Sequence, residues 1–276
     1  MDIKTVLKGF ENMGNVFICP ICKTKMEIVQ TGSFVCEKKH CFDISKKGYV
    51  NFLPSQKALL YDKKLFEMRQ FIFSQGFYQK ILDEIKAIAS GFKDPFIIDA
   101  GCGEGYYSFG LKERASCVLG LDISKEAIFL AKASKNTLYA VSDIASLPLS
   151  DGCADIVLNI LTPANYAEFS RVLKNDGIII KIIPCRDYLI QIRNRLPDIN
   201  KSYSNKSVIE HFEKHTTVKE KKQISYTLPV DKQELNAFIK MTPMLFGIDV
   251  SKTDFSGISE ITIDLMIITG RKKPFE

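Results

Sequence analysis

Five short apolar runs constrain this chain more than any other feature: FIIDAG (96–101), CVLGLDIS (117–124), LYAVSDI (138–144), DIVLNIL (155–161) and GIIIKII (177–183). Each is about one strand long, and helix-like stretches separate most of them. Continuous apolar strands alternating with helices require a parallel sheet buried on both faces. The expectation is a doubly wound, Rossmann-like α/β domain over residues 95–276. Upstream, KLFEMRQFIFSQGFYQKILDEIKAIASGF has apolar residues at helical spacing with a break at Gly76, which predicts two connecting helices within 56–94. Downstream, 196–220 is polar and weakly patterned and reads as a surface excursion. QISYTLPV then predicts a strand, DKQELNAFIKMTP a helix, and SEITIDLMIITGRK an antiparallel strand near the sheet edge.

The first strand runs into the turn FIIDAGCGEGYY, where Asp99 is followed by Gly101, Gly103 and Gly105. In a doubly wound fold, ligands sit at the carboxyl ends of the strands, where a glycine turn lets the backbone approach closely. The spacing is G-x-G-x-G. A dinucleotide fingerprint would need glycine at Tyr106, and the loop has no lysine followed by serine or threonine to hold a triphosphate. The second strand ends in Asp122, where a carboxylate can accept from both ribose hydroxyls. Asp143, at the end of the third, is placed to reach an adenine edge. Glycines and acids together describe a pocket for S-adenosylmethionine, in which positioning carries most of the rate of methyl transfer. Asn159 and Thr162 are placed to orient an acceptor base, His211 and His215 read as solvated surface residues, and no general base is assigned.

Residues 1–55 form a second unit. ICPICKTKMEIVQTGSFVCEKKHCFD holds five metal-ligand candidates, Cys19, Cys22, Cys36, His40 and Cys41. A C-x-x-C turn followed by a second pair predicts a tetrahedral zinc whose shell is filled by protein, so the metal organises the loop and leaves no position for substrate. His40 and Cys41 both remain candidates for the fourth position. Charge is uneven: residues 1–70 carry twelve Lys and Arg against seven Asp and Glu, whereas 71–276 carry 26 against 25. A basic module interleaved with Phe17, Phe34, Phe42, Tyr49 and Phe52 suits a polyanion, although the aromatics also suit a small core. No apolar run reaches membrane-spanning length and no signal-peptide core is evident, so a cytoplasmic protein with free thiols is expected. A homodimer is left open.

Taken in order, CPIC, the C…H.FD..KKGYVNFL run, DAGCGEGYY, GLDIS, RVLKNDG and KMTP resemble the large-subunit ribosomal RNA guanine-N1 methyltransferases, from about Cys19 to Phe246. That resemblance implies a zinc-ribbon-like module before a class I S-adenosylmethionine-dependent domain, acting on a ribosomal RNA hairpin. It implies Cys19, Cys22, Cys36 and His40 as ligands of one structural zinc, with Cys41 spare. It also implies that Tyr78 and Tyr188 border the methyl donor beside Gly103 and Glu104. A small-molecule methyltransferase carrying a zinc adaptor is the alternative.

Overall fold

The computed structural model describes residues 3–30, 32–53, 63–196, 204–242, 245, 250 and 253–273. Helix α1 (Ile3–Asn12) leads into a small antiparallel sheet of β1 (Met26–Val29), β2 (Ser33–Cys36) and β3 (Cys41–Asp43). Next come β4 (Tyr49–Asn51) and the helices α2 (Lys63–Ser74) and α3 (Gln79–Ala89), separated at Gly76 as the periodicity predicts. The alternating region follows: β5 (Phe96–Ala100), α4 (Tyr106–Gly110), β6 (Cys117–Asp122), α5 (Lys125–Leu130), β7 (Thr137–Val141), β8 (Ala154–Ile160), α6 (Tyr166–Val172) and β9 (Leu173–Pro184). The chain closes with α7 (Ile190–Arg193), α8 (Lys206–His215), β10 (Thr216–Pro229), α9 (Lys232–Met241) and β11 (Glu260–Lys272).

Among the described residues the large sheet has the order β10-β11-β9-β8-β5-β6-β7-β4, with β4 to β9 paired in parallel and β11 running antiparallel to both its neighbours, β9 and β10. The order reverses beside β5, so the crevice at the carboxyl ends of β5 and β8 is the topological switch point where such sheets bind ligands. Side chains alternate across the sheet with the period of two that pleating imposes. Ile97, Val118, Ile156 and Ile180 face one core with α3 and α9, while Ile98, Leu119, Val157 and Ile179 face the other.

The second core has a consequence for the module. Phe10, Phe17, Phe34 and Phe52 are buried edge to face in the same cluster as Leu119, Leu138 and Phe169. Each such ring is worth ~2–3 kcal/mol on burial. β4, on the module side of the expected boundary, pairs in parallel with β7 as the outer strand of the large sheet, and Phe17 bridges to Leu149. The module and the sheet therefore share a core.

One expectation changes. The described part of 196–220, from Ser204 on, forms α8 and the first residues of β10 rather than an irregular excursion. The run Lys219–Lys222 concealed the strand, because an outer strand exposed on one face carries charge where a buried one carries apolar residues. In consequence β11 lies one place in from the edge and is buried along most of its length.

Candidate functional site

The cysteine cluster is made by two tight turns. Cys19 N–H donates to Thr24 O and Lys23 N–H to Cys19 O. In the second turn Cys36 N–H donates to His40 O and Lys39 N–H to Cys36 O. Lys23 and Lys39 have φ of 62° and 63°, which closes each turn. The ligand atoms of Cys19, Cys22, Cys36 and His40 lie within 4.8 Å of one another. Sγ of Cys22 is 3.6 Å from Sγ of Cys36, and His40 Nδ1 is 3.4 Å from Cys36 Sγ and 3.5 Å from Cys19 Sγ. A tetrahedron with Zn–S bonds of about 2.3 Å has edges near 3.8 Å, so the donor set fits zinc. The Thr24 hydroxyl against its sulfur lowers the Cys22 thiol to about 6, while burial raises that of Cys19. Cys41 is exposed, points at Asp43, and stands outside the group.

At the end of β5, Gly101, Gly103 and Gly105 all have positive φ (83°, 56° and 80°). A Cβ at Gly101 would lie 2.6 Å from Thr162 Cγ2, so only glycine fits both the conformation and the space. Asp122, at the end of β6, accepts from Gly103 N–H and Ser124 N–H, each at 2.8 Å. It therefore ties the loop to the second strand, and the N-cap of α5 is Ser124 rather than Asp122. Asp99 is buried and accepts from Ser108 Oγ at 2.5 Å; burial pushes its carboxyl up to about 7. Glu104 is buried, and burial raises its carboxyl too. Neither of its oxygens has a hydrogen-bond partner. Asp143 lies two residues beyond β7, half-buried, accepting from Ala145 N–H at 2.9 Å. Tyr78, before α3, and Tyr188, after β9, meet hydroxyl to hydroxyl at 2.6 Å, although 110 residues separate them in the chain.

Beside the two tyrosines a cavity of about 900 Å³ opens at the ends of β8 and β9, with Arg69, Thr162, Tyr166, Lys181, Asn205 and His211 in its wall. Lys181 donates to Asn159 Oδ1 and to Thr162 O, and burial lowers its ammonium to about 8. Asn159 Nδ2 donates in turn to Ala100 O at 3.1 Å and Pro163 O at 2.9 Å. Both Nδ2 hydrogens of Asn159 thus join the donor loop to the turn after β8, and the side chain is buried and does not line the cavity, whereas Thr162 does. His211 and His215 pack against Tyr166 at 5.0 and 5.4 Å between ring centroids; His211 is exposed, as expected of a surface histidine, and also borders the cavity, while His215 is half-buried. Met241 and Thr242 of the KMTP run line the same wall; Phe246 lies outside the described residues. Arg69, Tyr166 and Lys181 carry no motif signal. Only a charged residue inside the apolar run GIIIKII hinted at Lys181.

Comparison with known proteins places these features together. The zinc-ribbon family described as RlmA, N-terminal, matches residues 17–58, and the family described as Methyltransferase domain matches residues 98–181. The YxjB protein of Bacillus subtilis (strain 168), whose name places it among the 23S rRNA (guanine-N(1)-)-methyltransferases, is 36% identical over 94% of this chain and 98% of its own. The 23S rRNA (guanine(748)-N(1))-methyltransferase of Streptomyces fradiae is 25% identical over 96% of this chain and 99% of its own. Among solved structures, the YcgJ protein from Bacillus subtilis superposes with a TM-score of 0.51 at 16% identity, covering 70% of this chain and 98% of that one; this likeness speaks to the fold alone.

Proposed function

Because the chain belongs to the 23S rRNA (guanine-N1)-methyltransferase family, we propose that it transfers a methyl group from S-adenosylmethionine to N1 of a guanine in large-subunit ribosomal RNA. The observation that carries this reading is the match to YxjB across both the zinc module and the methyltransferase domain. A small-molecule enzyme with an added adaptor gives no reason for the two parts to share a core. No helix among the described residues is long and apolar enough to cross a membrane, and the reading places the enzyme in the cytoplasm with its ribosomal substrate.

In this reading, Gly101, Gly103, Glu104, Asp122 and Asp143 hold the donor, with Asp99 beneath the loop and Tyr78 and Tyr188 at its methyl end. The bound sulfonium supplies an activated methyl with a neutral leaving thioether. The chain's own residues bind, orient and exclude water. The cavity of about 900 Å³ is large enough for a purine turned out of its stack, which is how base-modifying enzymes reach a ring atom. Tyr166 and the exposed His211 line it. Lys181 spends two of its three N–H groups on Asn159 and Thr162 and keeps one for an acceptor such as the guanine carbonyl oxygen. Zinc held by Cys19, Cys22, Cys36 and His40 keeps the module folded. RNA affinity is assigned to lysines, since Phe17, Phe34, Phe42, Tyr49 and Phe52 are buried. Lys46, Lys47, Lys112 and Lys132 line one depression that crosses from the module to α4 and α5.

The test is mass mapping of 23S ribosomal RNA from cells with and without the gene. One N1-methylguanine should disappear and return on complementation. An unchanged methylation map, with label transferred in vitro to a small acceptor instead, would overturn the reading.

A further inference from the structure

Lys181 is a lysine enclosed among the inner strands of the sheet with no acid beside it. It stands in β9 within the apolar run GIIIKII, in register with Asn159 of β8 on one side and Ile268 of β11 on the other, and is only 3% exposed. Among the described residues it makes no ion pair, and no carboxylate stands in the wall of the cavity that it lines. A buried ammonium without a counter-charge gives up its proton more readily than a solvated one. Burial alone lowers this one to about 8.

The hydrogen bonds define what the neutral amine presents. Nζ donates to Asn159 Oδ1 and to Thr162 O, each at 2.5 Å. An ammonium has a third N–H, whereas an amine has two and carries a lone pair at the third position. With both donors held by fixed oxygens, that lone pair is left for the cavity. The nitrogen also stands at the border of the donor and acceptor sites, since Asn159 Nδ2 donates to Ala100 O just before the glycine loop and Thr162 packs against Gly101. The other titratable groups in the wall are poorly suited to accept a proton. Arg69 from α2 is a permanent cation. Burial raises the phenols of Tyr78, Tyr166 and Tyr188, which stay neutral. His211 from α8 is exposed, with its ring against Tyr166 and His215.

Resting on the guanine-N1 reading above and deepening it, we propose that Lys181 is the general base of the reaction and, as a neutral amine, takes the N1 proton of the acceptor guanine. The N1–H bond breaks, its electron pair stays on the ring, shared between N1 and the carbonyl oxygen, and the proton becomes the third N–H of Lys181. That N–H then donates to the carbonyl oxygen, where negative charge has collected. N1 bonds to the methyl carbon as the carbon–sulfur bond breaks and its pair passes to sulfur, leaving a neutral thioether. The ammonium returns its proton to water when the product leaves. Proton, methyl group and charge balance with no further reagent. A base that titrates near the working pH suits such a transfer, and acid–base catalysis of this kind contributes roughly a hundredfold to ten-thousandfold.

Single-turnover methyl transfer tests this, with the full chain in excess over 23S ribosomal RNA from cells lacking the gene and S-adenosylmethionine at saturation, so that donor affinity drops out. The rate should rise about tenfold per pH unit below about 8 and level off above it. Lys181→Arg keeps a cation with N–H donors but cannot accept a proton, and should lose at least about a hundredfold. Lys181→Ala should lose as much, and the plateau with it, while binding S-adenosylhomocysteine within about threefold of wild type. Primary amines added to Lys181→Ala should restore the rate in proportion to their free-base concentration, a response that a merely structural lysine would not give. A Lys181→Arg protein as active as wild type, or a wild-type rate that falls as pH rises through 8, would overturn the inference and leave Lys181 a cation for the carbonyl oxygen. Loss of donor binding in Lys181→Ala with no response to amines would overturn it too and make Lys181 a prop. A wild-type protein that transfers no methyl group to this RNA at any pH would overturn the guanine-N1 reading itself, and this inference with it.

Discussion

The Cys3His cluster and the cavity at the strand ends are both polar groups held at short distances, yet they are encoded in different ways. The cluster draws on residues 19–40, and each of its turns closes through backbone hydrogen bonds within five residues. The cavity draws Arg69 from α2, Thr162 from the turn after β8, Lys181 from β9, His211 from α8 and Thr242 from the end of α9. Local turns set the geometry of the first, whereas the second exists only once the whole sheet has closed. The contrast teaches where to look for each kind of failure. Damage to the cluster should act through folding, and damage to the cavity through binding.

The largest effect should come from the metal. Chelation, or Cys36→Ser, should lower the unfolding temperature of the entire protein by on the order of 10 °C, because the module shares its core and β4 with the large sheet. Scanning calorimetry with and without chelator measures it. A main transition that stays in place would show that module and sheet melt separately, and would sharpen the contrast into two autonomous units. Metal analysis should give about one zinc per chain. His40→Ala should release it, whereas Cys41→Ala should not, since Cys41 lies outside the group.

Next in size is the donor site. Asp122→Ala removes the acceptor that also anchors Gly103 N–H and Ser124 N–H, and should weaken S-adenosylhomocysteine by about 2 kcal/mol or more, roughly thirtyfold. Unchanged affinity by titration calorimetry would remove Asp122 from the site. Reversing Lys38, Lys39, Lys46 and Lys47 to Glu should weaken ribosomal RNA binding by roughly tenfold or more at moderate salt and make the salt dependence shallower. Donor affinity should stay put. RNA bound as tightly as before would shift recognition away from the module.

The smallest expected effect is a pH dependence of a few fold. Burial raises the Asp99 carboxyl to about 7, so it is largely protonated and neutral below that pH and anionic above it. The donor carries a net positive charge, so its affinity should rise as pH rises through about 7, by less than the tenfold per unit that complete coupling would give. Asp99→Asn should flatten the profile. A wild-type profile already flat between pH 6 and 8 would mean that Asp99 does not sense the ligand's charge.

Particular residues mark how far the sequence could be read. Gly101, Gly103 and Asp122 were legible because a strand, a glycine turn and the end of the next strand are consecutive features whose separation in the chain predicts their meeting in space. Residues 206–215 were not. KSVIEHFEKH has a weak apolar stripe, and that it forms a wall of the cavity depends on Phe212 docking beside Tyr166. Asn159 departs from its expected role for a related reason. The end of a strand at the switch point predicts reach toward a ligand, but Lys181 on the neighbouring strand, 22 residues later, takes its carbonyl oxygen.

What the sequence determined by itself was everything written in short-range geometry: the metal-ligand turns, the alternation of strand and helix, and the positive-φ loop that only glycine tolerates. Backbone sterics and hydrogen bonding act over a few residues, so they leave a pattern that can be read along the chain. The tertiary structure alone decided that β4 seals the outer edge of the large sheet, that Tyr78 meets Tyr188, and that Arg69 lies over Gly103 against an unsatisfied Glu104. Those meetings are set by strand order and helix docking, which bring together side chains distant in the chain with no periodicity to announce them.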